Sequence, residues 1–261
     1  MQRRSQEPIV NRRRQPTRTL WSRLSLQAEL LVLLLFLLLC AACRGQPARA
    51  DPWAPYRQAM RPSTQAQLDE LGLLPVYHIR ATLETQGRRL AGFQTVRFPN
   101  TSSDSLPEIV FRLYPNLPQF GGKMDVQVVK VNGADVRYEY NVNETVLEVR
   151  LEKPLPPGEV AEIYLVYALR FPSLTSPYVL FGENQGVLSL PYFYPILALR
   201  DAQGWHRHLA PAYADASSCA TALYQVSLTA DPNLKLVTPG VVVSQTLGAD
   251  GLATWEVMTG P

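Results

Sequence analysis

The chain has 261 residues, of which 46% are hydrophobic and 18% charged, and its formal net charge at pH 7 is +3. This length and apolar content allow one large β-domain or two smaller domains with a sizeable core. Residues 1–29 contain seven arginines and two glutamates and carry +5, so +3 minus +5 leaves −2 for the remainder. The folded part therefore gives no electrostatic reason to expect nucleic acid as a partner.

An uncharged apolar run, residues 30–43, follows the arginine-rich start of the chain. As a helix these fourteen residues would be about 21 Å long, which is shorter than the roughly 30 Å hydrocarbon core of a membrane. We therefore predict that residues 1–43 form a basic leader with an N-terminal hydrophobic helix of the signal-peptide type. The preceding arginines place the start of the chain in the cytoplasm, and the rest is expected to be exported.

The apolar run ends in the sequence Cys40-Ala41-Ala42-Cys43. It resembles the bacterial lipobox, in which small residues precede a cysteine that is lipidated, although Cys40 stands where leucine is usual. Lipidation of Cys43 would hold the protein at the extracytoplasmic face of the cell membrane. Two alternatives remain open, ordinary cleavage near residues 48–50 and an uncleaved anchor.

Residues 44–75 predict a linker followed by a short helix. The first part is rich in proline, which is typical of an extended tether. In the second part Ser63 or Thr64 can cap a helix, and Leu68 and Leu71 would share one face. We expect a short amphipathic helix at the edge of the domain.

Residues 76–261 predict β-structure almost throughout, with turn residues between strands. In the first strand, apolar and polar residues alternate with period two. Its predicted core face and solvent face are Tyr77, Ile79, Ala81 and Leu83 against His78, Arg80, Thr82 and Glu84. Asn132-Gly133 suits the left-handed conformations of a tight hairpin turn, so a hairpin is predicted around it.

Two later strands indicate how the sheets are arranged. The segment "TVLEVRLEK" would bury Leu147, Val149 and Leu151 and expose the charged residues between them, Glu148, Arg150 and Glu152. The segment "EIYLVYAL" is apolar on both faces, so both of its sides are predicted to be covered. A strand that is apolar on one face, together with a strand that is apolar on both faces, implies that the sheets are stacked in layers. We therefore predict a mainly β fold, an antiparallel multi-strand β-sandwich or saddle-like domain.

Catalytic motifs are scarce in this sequence. It has three histidines, no H-E-x-x-H zinc motif and no G-x-S-x-G nucleophile motif. His206 and His208 would share a face of an extended segment, but Arg207 between them opposes a cation, so loop histidines are the favoured interpretation. Ser217 and Ser218 are near them only in sequence. The sequence therefore predicts no catalytic residue and no metal ligand in this chain.

Three further features have structural interpretations. His78 falls on the polar face of its strand, where it would be exposed or hydrogen-bonded. Cys219 has no base nearby in sequence and is predicted to be a small buried residue. The aromatic stretch "SLPYFYPILAL" fits either a sugar-binding platform or a core strand.

Several segments, taken in order, resemble the N-terminal β-domain of the aminopeptidase N family of zinc metallopeptidases, especially exported bacterial members. The segments are "YHIRATL", "GFQTVRFPN", "FRLYPN", "VVKVNGADVRYEY", "PLPPGEVAEIYLVYALRFP" and "YQVSLTADPN". The resemblance covers residues 76–261, so this range is assigned to an aminopeptidase N-like β-domain.

The resemblance implies a domain that packs on a thermolysin-like catalytic domain and helps to wall its active-site cleft. In that family the zinc ligands and the G-x-M-E-N loop lie downstream of this domain, so zinc is expected only in the catalytic domain and not in this chain. We expect a truncated or fragmentary product that is inactive alone, whose partners are the membrane and a catalytic metallopeptidase domain. The alternative is a free-standing, membrane-tethered β-module that binds a protein or carbohydrate partner.

Overall fold

The computed structural model describes residues 51–173, 181–209, 211 and 217–261. The predicted hydrophobic leader and Cys43 lie outside these residues. The described part of the chain starts with a short α-helix, α1, at Ala54–Arg57, followed by a 3₁₀ helix at Pro62–Asp69. A second, single-turn 3₁₀ helix lies at Tyr114–Asn116.

The helix predicted before the sheet is present, but it is a 3₁₀ helix that ends before Leu71. Leu68 is buried, whereas Leu71 lies beyond the last helical residue and is exposed. Thr64 does not cap the helix, because its hydroxyl donates to the carbonyl oxygen of Arg61 instead of accepting a backbone N–H. The helix therefore contacts the domain mainly through Leu68.

Sixteen strands follow within the described residues. In chain order they are β1 Val76–Glu84, β2 Arg89–Pro99, β3 Leu106–Arg112, β4 Lys123–Val131, β5 Ala134–Asp135, β6 Tyr138–Asn141, β7 Val146–Leu155, β8 Val160–Arg170, β9 Gly182–Asn184, β10 Val187–Ser189, β11 Ile196–Leu197, β12 Arg200–Asp201, β13 Gly204–Trp205, β14 Leu223–Ala230, β15 Val241–Leu247 and β16 Ala253–Thr259.

Most of these strands form two sheets. The large sheet has eight strands in the order β15-β16-β14-β1-β2-β8-β4-β5, and the small sheet has four in the order β11-β3-β7-β6. Neighbouring strands run antiparallel in both sheets, except that β1 and β14 are parallel. Two short hairpins, β9–β10 and β12–β13, lie outside the sheets.

The two sheets share one hydrophobic core. Buried residues of the large sheet and of the small sheet belong to the same cluster, among them Tyr77, Ile79, Ile163 and Leu165 against Ile109, Phe111, Leu147 and Val149. Burial of each such side chain contributes about 1.5–3 kcal/mol. The predicted mainly β, layered and largely antiparallel fold is confirmed, and the first strand buries the face that the alternation indicated.

Strand β8 differs from the prediction that both of its sides are covered. Its inner face is buried, as expected for the centre of a sandwich. Its other face carries Tyr164, Val166 and Ala168, which are only partly covered. The large sheet therefore has one face on the core and one open face, and the apolar residues of β8 on the open face are not core residues.

The predicted hairpin at Asn132-Gly133 is confirmed, with positive φ angles of 50° and 82° at these two residues. Its second strand is shorter than the alternation suggested. Strand β5 pairs with β4 over only two residues, and the chain then crosses to the small sheet, where β6 pairs with β7. The aromatic alternation of Tyr138 and Tyr140 thus belongs to the small sheet.

Two buried tyrosines in this core differ in their hydrogen bonding. The hydroxyl of Tyr77 accepts a hydrogen bond of 2.9 Å from the backbone N–H of Leu197. The hydroxyl of Tyr167 is buried without a hydrogen-bond partner among the described residues. Burial raises the pKa of both phenols, so both hydroxyls stay protonated at neutral pH.

Tyr77→Phe is expected to lower the free energy of unfolding by about 1–3 kcal/mol, because it leaves the buried N–H of Leu197 unpaired. Tyr167→Phe is expected to leave it unchanged or to raise it by up to about 1 kcal/mol, because it removes an unpaired buried hydroxyl. Urea unfolding of the two matched variants measures the difference. An equal loss of stability in both would contradict this assignment.

Candidate functional site

The outer face of the small sheet is covered by residues 198–209, here called the covering segment. It follows β11 and contains the β12–β13 hairpin. Ala198 donates a backbone hydrogen bond of 2.8 Å to Val110 and packs with it in a small buried cluster that Trp205 also contacts. The covering segment is therefore part of the folded core and not a free loop.

Four charged side chains join the covering segment to the small sheet, and we call them the charge network. Arg207 donates from Nε to Glu148 at 2.7 Å and from Nη2 to Glu108. Arg150 donates to the same two carboxylates, at 2.9 Å to Glu108 and 3.3 Å to Glu148. Because Arg207 comes from the covering segment and the other three come from β3 and β7, the network ties the segment to the sheet.

The prediction that Glu148 is exposed was wrong. Its side chain is only 8% exposed, whereas the side chain of Arg150 is 49% exposed as expected. Alternation placed Glu148 on the outer face correctly, but the covering segment buries that face and provides Arg207 as a partner. Two arginines on one carboxylate satisfy the condition under which charged groups are buried.

Arg112 is a second contact between the small sheet and the covering segment. It is 3% exposed, and its Nη1 donates to the carbonyl oxygens of His206 at 3.1 Å and His208 at 2.9 Å. Its guanidinium lies 5.3 Å from the centre of the Tyr114 ring. Burial lowers the pKa of Arg112, and the backbone carbonyls with the ring face partly replace its lost hydration.

The histidine pair of the covering segment does not form a metal centre with other described residues. The rings of His206 and His208 are 5.7 Å apart, and His206 Nε2 lies 2.6 Å from Asp201 Oδ2. This hydrogen bond is the main reason why the pKa of Asp201 is lowered. Within 51–173, 181–209, 211 and 217–261, no three His, Cys, Asp or Glu side chains are grouped as metal ligands would be.

His78, Ser217 and Ser218, which the sequence also drew attention to, each lie against the hydroxyl of a tyrosine. His78 is exposed, as predicted, and its Nε2 lies 3.3 Å from the hydroxyl of Tyr56. Desolvation by the neighbouring protein atoms, and secondarily the charge of Arg97, lowers the pKa of His78. The hydroxyl of Ser217 forms a hydrogen bond with the hydroxyl of Tyr192. The backbone N–H of Ser218 donates a hydrogen bond to the hydroxyl of Tyr114.

The prediction that Cys219 is buried was wrong, since this free cysteine is exposed. It lies within residues 217–220, shortly before β14, where no strand pairing turns a side chain toward the core. The aromatic residues Tyr192 and Tyr194 pack on other rings. Tyr192 stacks on Phe120 at 5.7 Å, and Tyr194 contacts Tyr77 at 5.7 Å. These contacts favour core packing over a sugar platform in this stretch.

Nothing in the described residues bears on the leader, since Cys43 lies outside them. Among residues 51–173, 181–209, 211 and 217–261, no helix has the length and apolar character needed to cross a membrane.

Comparison with known proteins gives matches among solved structures only. No protein-family model matches the sequence, and no curated protein matches it. The M1 zinc metallopeptidase from Deinococcus radiodurans is 23% identical with a TM-score of 0.49, and a mutant of it is 24% identical with the same TM-score. A mutant two-domain M1 zinc metallopeptidase bound to L-arginine is 22% identical with a TM-score of 0.48. Each alignment covers 71% of this chain and 38% of the solved chain.

Proposed function

We propose that residues 76–261 are the non-catalytic N-terminal β-domain of an exported, membrane-associated zinc aminopeptidase. The catalytic domain with its zinc lies outside these 261 residues in this proposal. The described residues contain no group of three potential metal ligands, so no zinc ligand is assigned to them. The role of this chain is then to support and wall the active-site cleft of the catalytic domain, not to perform chemistry.

The observation that carries the proposal is where the family-like segments lie in the fold. The segments quoted for the resemblance lie on β1, β2, the end of β3, β4–β5 with the start of β6, β8 and β14, in the order in which the resemblance has them. Six of these strands, β14, β1, β2, β8, β4 and β5, are consecutive in the large sheet, and β3 belongs to the facing small sheet. The resemblance thus follows the framework of both sheets and is not limited to isolated turns.

Peptidase activity and zinc in two preparations test the proposal. The native protein, isolated from its membranes in mild detergent together with the proposed catalytic domain, is expected to hydrolyse aminoacyl 4-nitroanilides and to contain stoichiometric zinc. A chelator is expected to abolish this hydrolysis. The recombinant 261-residue chain is expected to have neither the hydrolysis nor the zinc. DNA downstream of codon 261 is expected to encode H-E-x-x-H. One zinc and aminopeptidase activity in the recombinant chain alone would contradict the proposal.

The membrane attachment in this proposal is a lipid on Cys43. Mass spectrometry of membrane-extracted protein is expected to find a diacylglyceryl group on an N-terminal Cys43. Cys43→Ala is expected to abolish the lipid mass, and the matched variant Cys40→Ala is expected to keep it, because only the cysteine after the small residues is modified. An intact Met1, or a free N-terminus near residues 48–50, would contradict lipidation.

A further inference from the structure

The open face of the large sheet carries three rows of side chains that run across the strands. The rows follow from the register, because directly paired residues lie on the same face. The first row is Glu256, Ser227, Arg80, Phe93 and Val166. The second row is Thr254, Thr229, Thr82, Ala91, Ala168 and Asp125. The third row is Glu84, Arg89, Arg170 and Lys123.

The rows form a groove, with the mostly short side chains of the second row between the longer ones of the other two. The first and third rows occur together on β1, β2 and β8, where they are four residues apart, or about 13 Å, and the second row crosses six strands, whose five spacings give a length of about 24 Å. Two cavities of about 710 Å³ and 530 Å³ open here, and both are lined by Thr82, Ala91 and Ala168. We call this continuous depression the groove.

The first row presents an aromatic ring beside hydrogen-bonding groups. Phe93 is 40% exposed although it lies in the middle of the sheet, and the guanidinium of Arg80 lies 6.0 Å from the centre of its ring. On the next strand the hydroxyl of Ser227 donates to the carboxylate of Glu256. The row therefore combines an apolar surface with planar donor and acceptor groups.

The third row places like charges on directly paired residues, which is unfavourable for the stability of the isolated domain. Arg89 lies directly opposite Arg170, and Arg170 lies directly opposite Lys123. Like charges in such pairs are destabilising. Lys123 is paired with Glu144, but neither Arg89 nor Arg170 takes part in an ion pair within the described part of the chain. Glu84 lies directly opposite Arg89 and offsets part of this repulsion, while Arg170 offers the groove hydrogen-bond donors that no ion pair within the described residues occupies.

We propose that the groove binds a neutral polysaccharide chain. Its lining includes four cationic side chains, Arg80, Arg89, Lys123 and Arg170, and three anionic ones, Glu84, Asp125 and Glu256. This near balance favours neither a polyanion nor a polycation. Sugar hydroxyls both donate and accept hydrogen bonds, so they use both kinds of side chain, while the exposed ring of Phe93 meets the apolar face of a sugar ring.

An extended peptide fits this surface less well. Peptides that bind β-sheets in extended form pair with the unpaired backbone of an edge strand. The groove lies mainly over β16, β14, β1, β2 and β8, each of which has a neighbour on both sides, and it reaches the end of β4 that β5 does not pair. Over those five strands the backbone groups are already used in the sheet, so there the groove offers a ligand side chains only.

Affinity electrophoresis of the full chain, in a detergent without sugar groups, tests this site. The probes are three neutral polysaccharides, hydroxyethylcellulose, laminarin and mannan, with polygalacturonate and unfolded casein for comparison. At least one neutral polysaccharide is expected to retard the chain. Phe93→Ala and Arg80→Gln are each expected to weaken that retardation by about tenfold, because each removes one face of the proposed sugar contact.

Two matched variants control for general surface effects. Val187→Ala changes another exposed apolar residue, and Arg137→Gln changes another exposed arginine, both outside the groove. Both should retain the retardation of the unchanged chain. Retardation by none of the neutral polysaccharides, by polygalacturonate or casein alone, or equally in all four variants would overturn the proposal. None of these outcomes depends on zinc or peptidase activity. A failure of the groove proposal can therefore be distinguished from a failure of the proposed function.

Discussion

Glu148→Gln is expected to lower the free energy of unfolding by about 2–3 kcal/mol. Removing one partner of a buried ion pair typically costs about 3–5 kcal/mol, because the remaining charge is left unpaired. The loss is smaller here, since the side chains of Arg207 and Arg150 are 32% and 49% exposed and water can solvate them. Urea unfolding measures the change. Faster tryptic cleavage after Arg207 should report that the covering segment has loosened.

Glu152→Gln is the matched control for this experiment. Glu152 lies on the same strand, is exposed and takes part in no ion pair among the described residues. Its replacement is expected to change stability by less than about 0.5 kcal/mol. Arg207→Gln should destabilise in the same way as Glu148→Gln, and the double variant should be more stable than the two losses added together. Additive losses would contradict direct coupling of these side chains.

Gly92→Ala is expected to lower the free energy of unfolding by about 3 kcal/mol or to prevent folding. A Cβ atom at Gly92 would lie 2.5 Å from Cζ of Tyr167 on the neighbouring strand. The Tyr167 ring is 1% exposed, and β2 is paired on both sides, so neither the ring nor the backbone can move away easily. Overpacking of this kind usually costs about 1–3 kcal/mol. Thermal and urea unfolding measure the effect.

A second substitution keeps this prediction testable even if Gly92→Ala alone does not fold. Tyr167→Leu shortens the clashing ring, so the double variant is expected to recover folding and to be more stable than Gly92→Ala. Ala91→Ser, one residue away on the open face, should remain within about 0.5 kcal/mol of the unchanged chain. If the double variant is no more stable than Gly92→Ala, contact with the ring is not the cause.

Alternation and turn chemistry predicted the parts of the fold that depend on local sequence. In β1 the apolar and polar residues alternate, and the structure buries the expected face. Asn132 and Gly133 are residue types that tolerate positive φ angles, and both residues have positive φ angles in the structure. These features need only one strand or one turn, together with the rule that apolar faces seek a core.

The charge network could not be predicted in this way, because its partners are distant in sequence. Glu148 and Arg207 are 59 residues apart, and Glu108 and Arg207 are 99 apart. Alternation placed Glu148 on the outer face of β7, but whether that face meets water depends on where a later segment lies. The spacing of charges along the chain contains no such information, so a buried carboxylate was interpreted as an exposed one.

The open face of the large sheet was missed for a related reason. An apolar residue on the second face of β8 indicates cover only if another layer exists there. Val166 and Ala168 instead line the groove, and Tyr164 lies on the same face; all three are partly exposed. The groove itself depends on the register of six strands, which brings Arg80 and Phe93 into one row with Glu256, more than 160 residues later in the chain.

The parallel pairing of β1 with β14 has a consequence for how this domain folds. Val76 pairs with Leu223, so β1, near the beginning of the domain, can pair with β14 only after almost 150 further residues have been synthesised. Contacts between such distant residues require closure of a long loop and slow folding. Most of the domain must therefore be available before the centre of its large sheet can be completed. We expect chaperone contact with the unfolded chain to persist until β14 is free to pair.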